Sequence, residues 1–188
     1  MNLANNITVF RIVLIPFFVG MILKYNQLPL GQGEFFHCAS IAFFCLAVIT
    51  DAMDGFVARM RHQITELGKA LDPLADKLLL LSAILILSLP GHLVKLPLWF
   101  AITVLSRDII IVLGALMLHW FNGSVKIAPT FLGKATTVAQ MATILWIMTA
   151  LPRPEIIWQI AGFLTVTSGL HYLYFGSKQF NEPEAVAK

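Results

Sequence analysis

Four of the chain's ten acidic residues fall into two closely spaced pairs. Asp51 and Asp54 are three residues apart, and Asp72 and Asp76 are four apart. On helices these spacings place both members of each pair on one face. Gly55 and Ala58 share the face of the first pair, and Gly68 precedes the second by one turn. Each pair adjoins a long apolar run, so the acids are expected at the facing ends of two consecutive membrane helices. A short connection makes those helices antiparallel neighbours and lets the acidic faces meet. Four ionised carboxylates cannot share such a pocket uncompensated. One charge at membrane depth costs about 3 kcal/mol even on generous insertion scales, and like charges add repulsion. Protonation, salt bridges to Arg59, Arg61, Lys69 or Lys77, or bound cations would relieve it. Hard oxygen donors converging from two rigid helices suit Mg²⁺ or Mn²⁺, with two ions expected.

The residues around the acids extend this chemistry. Arg59 lies one position beyond the acidic face, where its planar fork of donors can reach a diphosphate. Gly68 lets backbone approach a planar or phosphate group closely. Small residues such as Gly55 and Ala58 also serve plain helix contacts, so their meaning comes from the acids beside them. A metal pair, a basic fork and a glycine-lined slot together suggest a nucleotide diphosphate site.

The elements that must hold these residues belong to a membrane protein. Hydrophobic residues make up 58% of the 188-residue chain and charged residues 12%, and mean hydropathy is +0.80. A soluble domain carries about 25% charged residues. At about 20 apolar residues per span, the chain accommodates six short-looped helices and no separate soluble domain. The fold expected is therefore all-α: an integral membrane bundle of six transmembrane helices occupying residues 1–180, with residues 181–188 a disordered tail. The helices are expected at about 7–25, 35–59, 71–90, 96–120 and 130–151, with a sixth following the Pro152-Arg153-Pro154 turn and continuing to about Phe175; Pro29 and Pro90-Gly91 punctuate the earlier ones. No internal repeat is visible, and no cleavable leader is expected.

Basic residues set the orientation. Arg59, Arg61, Lys69, Lys77, Lys126, Lys134, Lys178 and Lys188 fall on one side; Lys24, Lys95 and Arg153 fall on the other. The positive-inside rule places both termini and the acidic site on the cytoplasmic side. Trp99, Trp120, Trp146 and Trp158 read as interfacial belt residues. Cys38 and Cys45 read as packed thiols, not as a disulfide or metal site. No basic stripe interleaved with aromatics points to nucleic acid. His62 reads as solvated, and His171 as a satisfied core residue.

The run Asp51-x-x-Asp54-Gly55-x-x-Ala58-Arg59, eight residues, then Gly68-x-x-x-Asp72-x-x-x-Asp76 resembles the signature of the CDP-alcohol phosphatidyltransferase family at every fixed position. Asn6-Ile7-Thr8-Val9-Phe10-Arg11 resembles that family's opening segment. The resemblance implies a six-helix fold, a homodimer and a phosphatidyl transfer from CDP-diacylglycerol that releases CMP. It makes Asp51, Asp54 and Asp72 metal ligands and Asp76 the general base, also in reach of a metal. Asp51, Gly55, Ala58, Arg59, Gly68 and Asp72 would line the CDP site. A carboxylate near cations is a weak base, but crowding by three other carboxylates would strengthen Asp76 in that role.

The acceptor alcohol is read from the later helices. Arg107 lies within an apolar run, where a charged residue carries a functional expectation, although Asp108 beside it offers a simple salt bridge. Arg107, Lys126 and Lys134 are candidates to bind an acceptor phosphate; Lys126 and Lys134 also fit as inside-facing topology residues. Gly68-Lys69-Ala70-Leu71-Asp72-Pro73-Leu74-Ala75-Asp76-Lys77 looks like bacterial phosphatidylglycerophosphate synthases, which use glycerol 3-phosphate. Ser106-Arg107-Asp108 and Pro129-Thr130-Phe131-Leu132-Gly133-Lys134 look more like the cardiolipin synthase branch, which uses phosphatidylglycerol. Glycerol 3-phosphate is the expected acceptor, phosphatidylglycerol the alternative, and a bacterial inner membrane the expected location. A cation transporter also places carboxylates in membrane helices, but usually near the bilayer midplane and in inverted repeats, neither of which this sequence shows.

Overall fold

The computed structural model describes residues 3–29, 31–61, 66–90, 95–122 and 130–181. Side chains are described for these except at 3–7, 52–61, 66–74, 115, 118, 119, 121, 122 and 178–181. Six helices carry the described chain: α1 (Leu3–Gln27), α2 (Glu34–Arg61), α3 (Glu66–Ser88), α4 (Leu98–Asn122), α5 (Phe131–Met148) and α6 (Pro154–Asn181). No strand occurs among the described residues.

Among the described residues, four stretches are long and apolar enough to cross a membrane: Thr8–Gln27, Glu34–Asp51, Phe131–Met148 and Pro154–Ser177. Large apolar side chains such as Phe17, Ile49, Phe131 and Phe163 stand exposed on them. An aqueous surface does not tolerate such continuous apolar faces. The chain is an integral membrane protein, and these faces meet lipid.

The chain divides into two compact units. The first comprises residues 1–95 with 147–150, and the second 96–146 with 151–188. In the first unit α1 packs along both α2 and α3, and α2 also meets α3. The buried stripe of α1 runs Thr8, Arg11, Leu14, Phe18, Ile22, the three- and four-residue spacing of one helix face. Phe18 meets Phe44 of α2 with ring centroids 5.6 Å apart. Ala75, Leu79, Ala83 and Leu87 supply the matching buried stripe of α3. Between α1 and α2 the Tyr25 ring stacks on His37 at 4.7 Å. Gly33 is required there, because a Cβ would lie 2.7 Å from Tyr25 Cδ2.

In the second unit α4 packs on α6, and a polar seam links α5 to α6. Gln140 Nε2 donates to Thr165 Oγ1 at 3.1 Å. The Thr136 hydroxyl lies 2.8 Å from its own helix's Leu132 carbonyl and 3.2 Å from the Leu164 carbonyl. Thr136, Gln140, Thr143, Thr165 and Ser168 are all buried. Lipid is as apolar as leucine, so small and polar residues mark the inward faces of membrane helices. Thr130 caps α5, its Oγ1 accepting from the Gly133 N–H at 3.1 Å. The α5–α6 turn passes through Ala150 and Arg153 at φ of 50° and 53°, and Pro154 opens α6, a position that needs no N–H donor.

The helices depart from sequence expectation chiefly at their polar ends. The third helix begins at Glu66 rather than near Leu71, because a helix turn outside the hydrocarbon needs no apolar residue, and Glu66 suits the positive end of the dipole. The fifth stops at Met148. The sixth runs to Asn181, so the expected tail loses its first residue to the helix; the rest of it lies outside the described residues. Cys38 is exposed rather than packed, and Cys45 is half-buried; both are free thiols. His171 is half-buried and lies against the Phe175 ring, with centroids 4.5 Å apart and planes tilted by 38°. Its Nδ1 has no hydrogen-bond partner among the described residues, so it is not the satisfied core histidine expected.

Candidate active site

The two acidic pairs sit on the arms of one helical hairpin. Asp51 lies ten residues before the end of α2 at Arg61, and Asp76 ten residues after the start of α3 at Glu66. At 1.5 Å per residue both are about 15 Å from the connected ends. Asp54 and Asp72 lie at a second level, about 10 Å from those ends. The acids are therefore set back two to three turns from the helix tips, because both helices extend beyond their apolar runs.

Asp51 is held from α1. Its Oδ1 lies 2.7 Å from Arg11 Nη1, with the Arg11 side chain fully buried and that of Asp51 38% exposed. Asp76 is half-buried, following Ala75 and one turn before Leu79 and Leu80 on the packed face of α3. The side chains of Asp54, Gly55, Ala58, Arg59, Gly68 and Asp72 lie outside the described residues, as does His62. Among the described residues no group of three or more acidic, histidine or cysteine side chains forms a metal cluster. The donor chemistry nonetheless fits a hard divalent ion: Asp51 and Asp76 offer carboxylate oxygens from two helices, and Asp51 is open enough to be reached.

A second charged cluster belongs to the other unit. Arg107 on α4 is 7% exposed. Its Nη1 donates to Asp108 Oδ1 at 2.8 Å and its Nη2 to Ser168 Oγ on α6 at 2.9 Å. The guanidinium carbon lies 5.5 Å from the Tyr172 ring centroid, within cation–π range. A Cβ on Gly133 would stand 3.0 Å from the Tyr172 hydroxyl and 3.4 Å from Arg107 Nη2. Glycine at the third position of α5 thus leaves room for both groups beside that helix's positive end. Lys134, the next residue, is exposed. Lys126 lies outside the described residues. The salt bridge to Asp108 does form, yet it engages only part of the fork: Arg107 Nε has no partner among the described residues.

The family model for CDP-alcohol phosphatidyltransferases matches residues 1–171. The chain belongs to the CDP-alcohol phosphatidyltransferase family. It is accordingly a phosphatidyltransferase enzyme, which removes the transporter alternative. Among its relatives are the CDP-diacylglycerol–glycerol-3-phosphate 3-phosphatidyltransferases of Escherichia coli (strain K12) and Shigella flexneri serotype 5b. Each is 35% identical over 185 residues, covering 92% of this chain and 93% of the relative.

Two features escaped the sequence. Arg11, the partner of Asp51, is visible in the sequence as a charge inside the first apolar stretch, a signal that marks function in membrane helices, but nothing in the sequence pairs it with Asp51. Ser168 and Tyr172 carried no signal, since sixty-one residues separate Ser168 from Arg107. Tyr172 also lies just past the residues that the family model matches.

Proposed function

We propose that this phosphatidyltransferase moves the phosphatidyl group of CDP-diacylglycerol onto glycerol 3-phosphate and releases CMP. The observation that carries the reading is the near full-length match, at 35% identity, to enzymes whose names specify that donor and acceptor. The same match favours glycerol 3-phosphate over phosphatidylglycerol; the buried Arg107 suits the phosphate that either acceptor carries and does not choose between them.

In this proposal Asp51, Asp54, Asp72 and Asp76 hold two Mg²⁺ or Mn²⁺ ions. Bound there, the cations would neutralise charge developing on the diphosphate. Gly55, Ala58 and Gly68 leave room for the CDP moiety, and Arg59 grips its diphosphate with a planar fork. Arg107, Lys126 and Lys134 take the acceptor's phosphate. The acceptor's hydroxyl oxygen attacks the phosphorus that bears the diacylglycerol. Its proton passes to Asp76, the bond to CMP breaks, and the electron pair leaves on the CMP phosphate. Six spans, both termini and the active site on the cytoplasmic face of a bacterial inner membrane, and a homodimer complete the proposal; the clustering of lysine and arginine on one side supports the orientation.

Purified protein supplied with CDP-diacylglycerol and each acceptor in turn tests it, with CMP release and product mass as readouts. Phosphatidylglycerophosphate is the expected product. Cardiolipin formed from phosphatidylglycerol, without turnover of glycerol 3-phosphate, would replace the acceptor. CMP release with neither would reject both.

A further inference from the structure

The buried stripe of α1 holds Leu14, Phe18 and Ile22, yet its position at Arg11 carries a guanidinium. A charge with no exposed surface is costly and is offset only by close, well-placed counter-charge. One such counter-charge is Asp51, 2.7 Å away and itself 38% exposed. The pair is therefore asymmetric: the cation is sealed into the packing of α1, and the anion reaches outward from α2. Among the described residues of the first unit Arg11 is the fully buried cation, beside a site whose four aspartates demand positive charge. A guanidinium fixed by helix packing cannot leave, unlike a bound metal ion.

We propose that Arg11 is a resident counter-ion and positioning residue for the acidic site. It holds the Asp51 carboxylate in place and offsets the carboxylates' repulsion whenever the divalent cations are absent, so that the empty site stays assembled and ready to reload. The metal-linked part of this proposal rests on the divalent-ion reading given above; the pairing of Arg11 with Asp51 does not. Lysine in its place would keep the charge and lose the fork, so its effect should be intermediate.

The test is thermal unfolding of purified full-length protein in detergent, in EDTA and in saturating Mn²⁺, for wild type, Arg11→Met, Arg11→Lys, Asp51→Asn and the Arg11→Met/Asp51→Asn double variant. Arg11→Met should melt about 5–10 °C below wild type in EDTA. Saturating Mn²⁺ should recover at least half of that loss, Arg11→Lys should lose less, and the double variant should regain stability in EDTA. Equal losses in EDTA and Mn²⁺, or a double variant no more stable than Arg11→Met, would overturn the proposal. If Arg11→Met cannot be purified folded, the double variant decides: its recovery as folded protein supports the pairing, and its loss overturns it. Electron paramagnetic resonance of Mn²⁺ bound to wild type tests the metal reading separately. Absence of binding there would sink that reading, while the comparison in EDTA still judges the pairing.

Discussion

Replacing Ser168 with alanine removes a single hydroxyl and with it a tertiary bond between α6 and α4. The Arg107 Nη2 group donates to that hydroxyl at 2.9 Å, and both residues are buried. A hydrogen bond to a charged group contributes about 1.5–3 kcal/mol in soluble proteins. Interhelical hydrogen bonds in membranes average about 0.6 and reach about 1.7 kcal/mol. The Asp108 bond and the Tyr172 ring would still hold the guanidinium, which argues against the top of the range. A loss of about 1–2 kcal/mol is therefore expected from these ranges. Expressed in acceptor binding, it raises the KM for glycerol 3-phosphate about 5–30-fold; expressed in stability, it lowers Tm by about 2–8 °C. CMP release measured against glycerol 3-phosphate at saturating CDP-diacylglycerol, with a melt of the same preparation, reads both. Ser168→Thr keeps the hydroxyl and should lie closer to wild type. A Ser168→Ala enzyme unchanged in both KM and Tm would show that the bond does not organise Arg107.

Other substitutions probe separate parts of the structure. Asp76→Asn should still bind CDP-diacylglycerol but lose turnover, and kcat within tenfold of wild type would remove Asp76 from the role of base. Arg59→Lys should weaken the donor's binding, read as a higher KM for CDP-diacylglycerol, because a point charge cannot replace a bidentate fork; an unchanged KM counts against that contact. Gly33→Ala places a methyl 2.7 Å from the Tyr25 ring and should cost about 1–2 kcal/mol by overpacking. A melting point equal to wild type would show that the stack on His37 shifts freely.

Sequence legibility followed the physics of each signal. Length and apolar composition announced a helical membrane protein, because spanning a bilayer admits few alternatives. Asp51, Asp54, Asp72 and Asp76 stood out because carboxylates are rare beside apolar runs, and their spacing carried the family resemblance that the full-length match bears out. Helix ends were less legible. Glu66 and Lys178 continue helices beyond the apolar segments, where hydropathy no longer marks where a helix stops. Inward faces were also hidden, since α1 shows apolar residues on both sides: Phe17 is exposed and Phe18 is buried. Partners distant in sequence, such as Ser168 for Arg107 and Arg11 for Asp51, come only from packing.

Anomalous scattering from Mn²⁺ in crystals of the protein with a CDP-alcohol bound would locate the cations directly. Peaks are expected between α2 and α3, about 2.0–2.3 Å from carboxylate oxygens of Asp51, Asp54, Asp72 and Asp76 and in contact with the diphosphate. A diphosphate bound with no peak among those four side chains would contradict the assignment of this hairpin as the metal-holding active site.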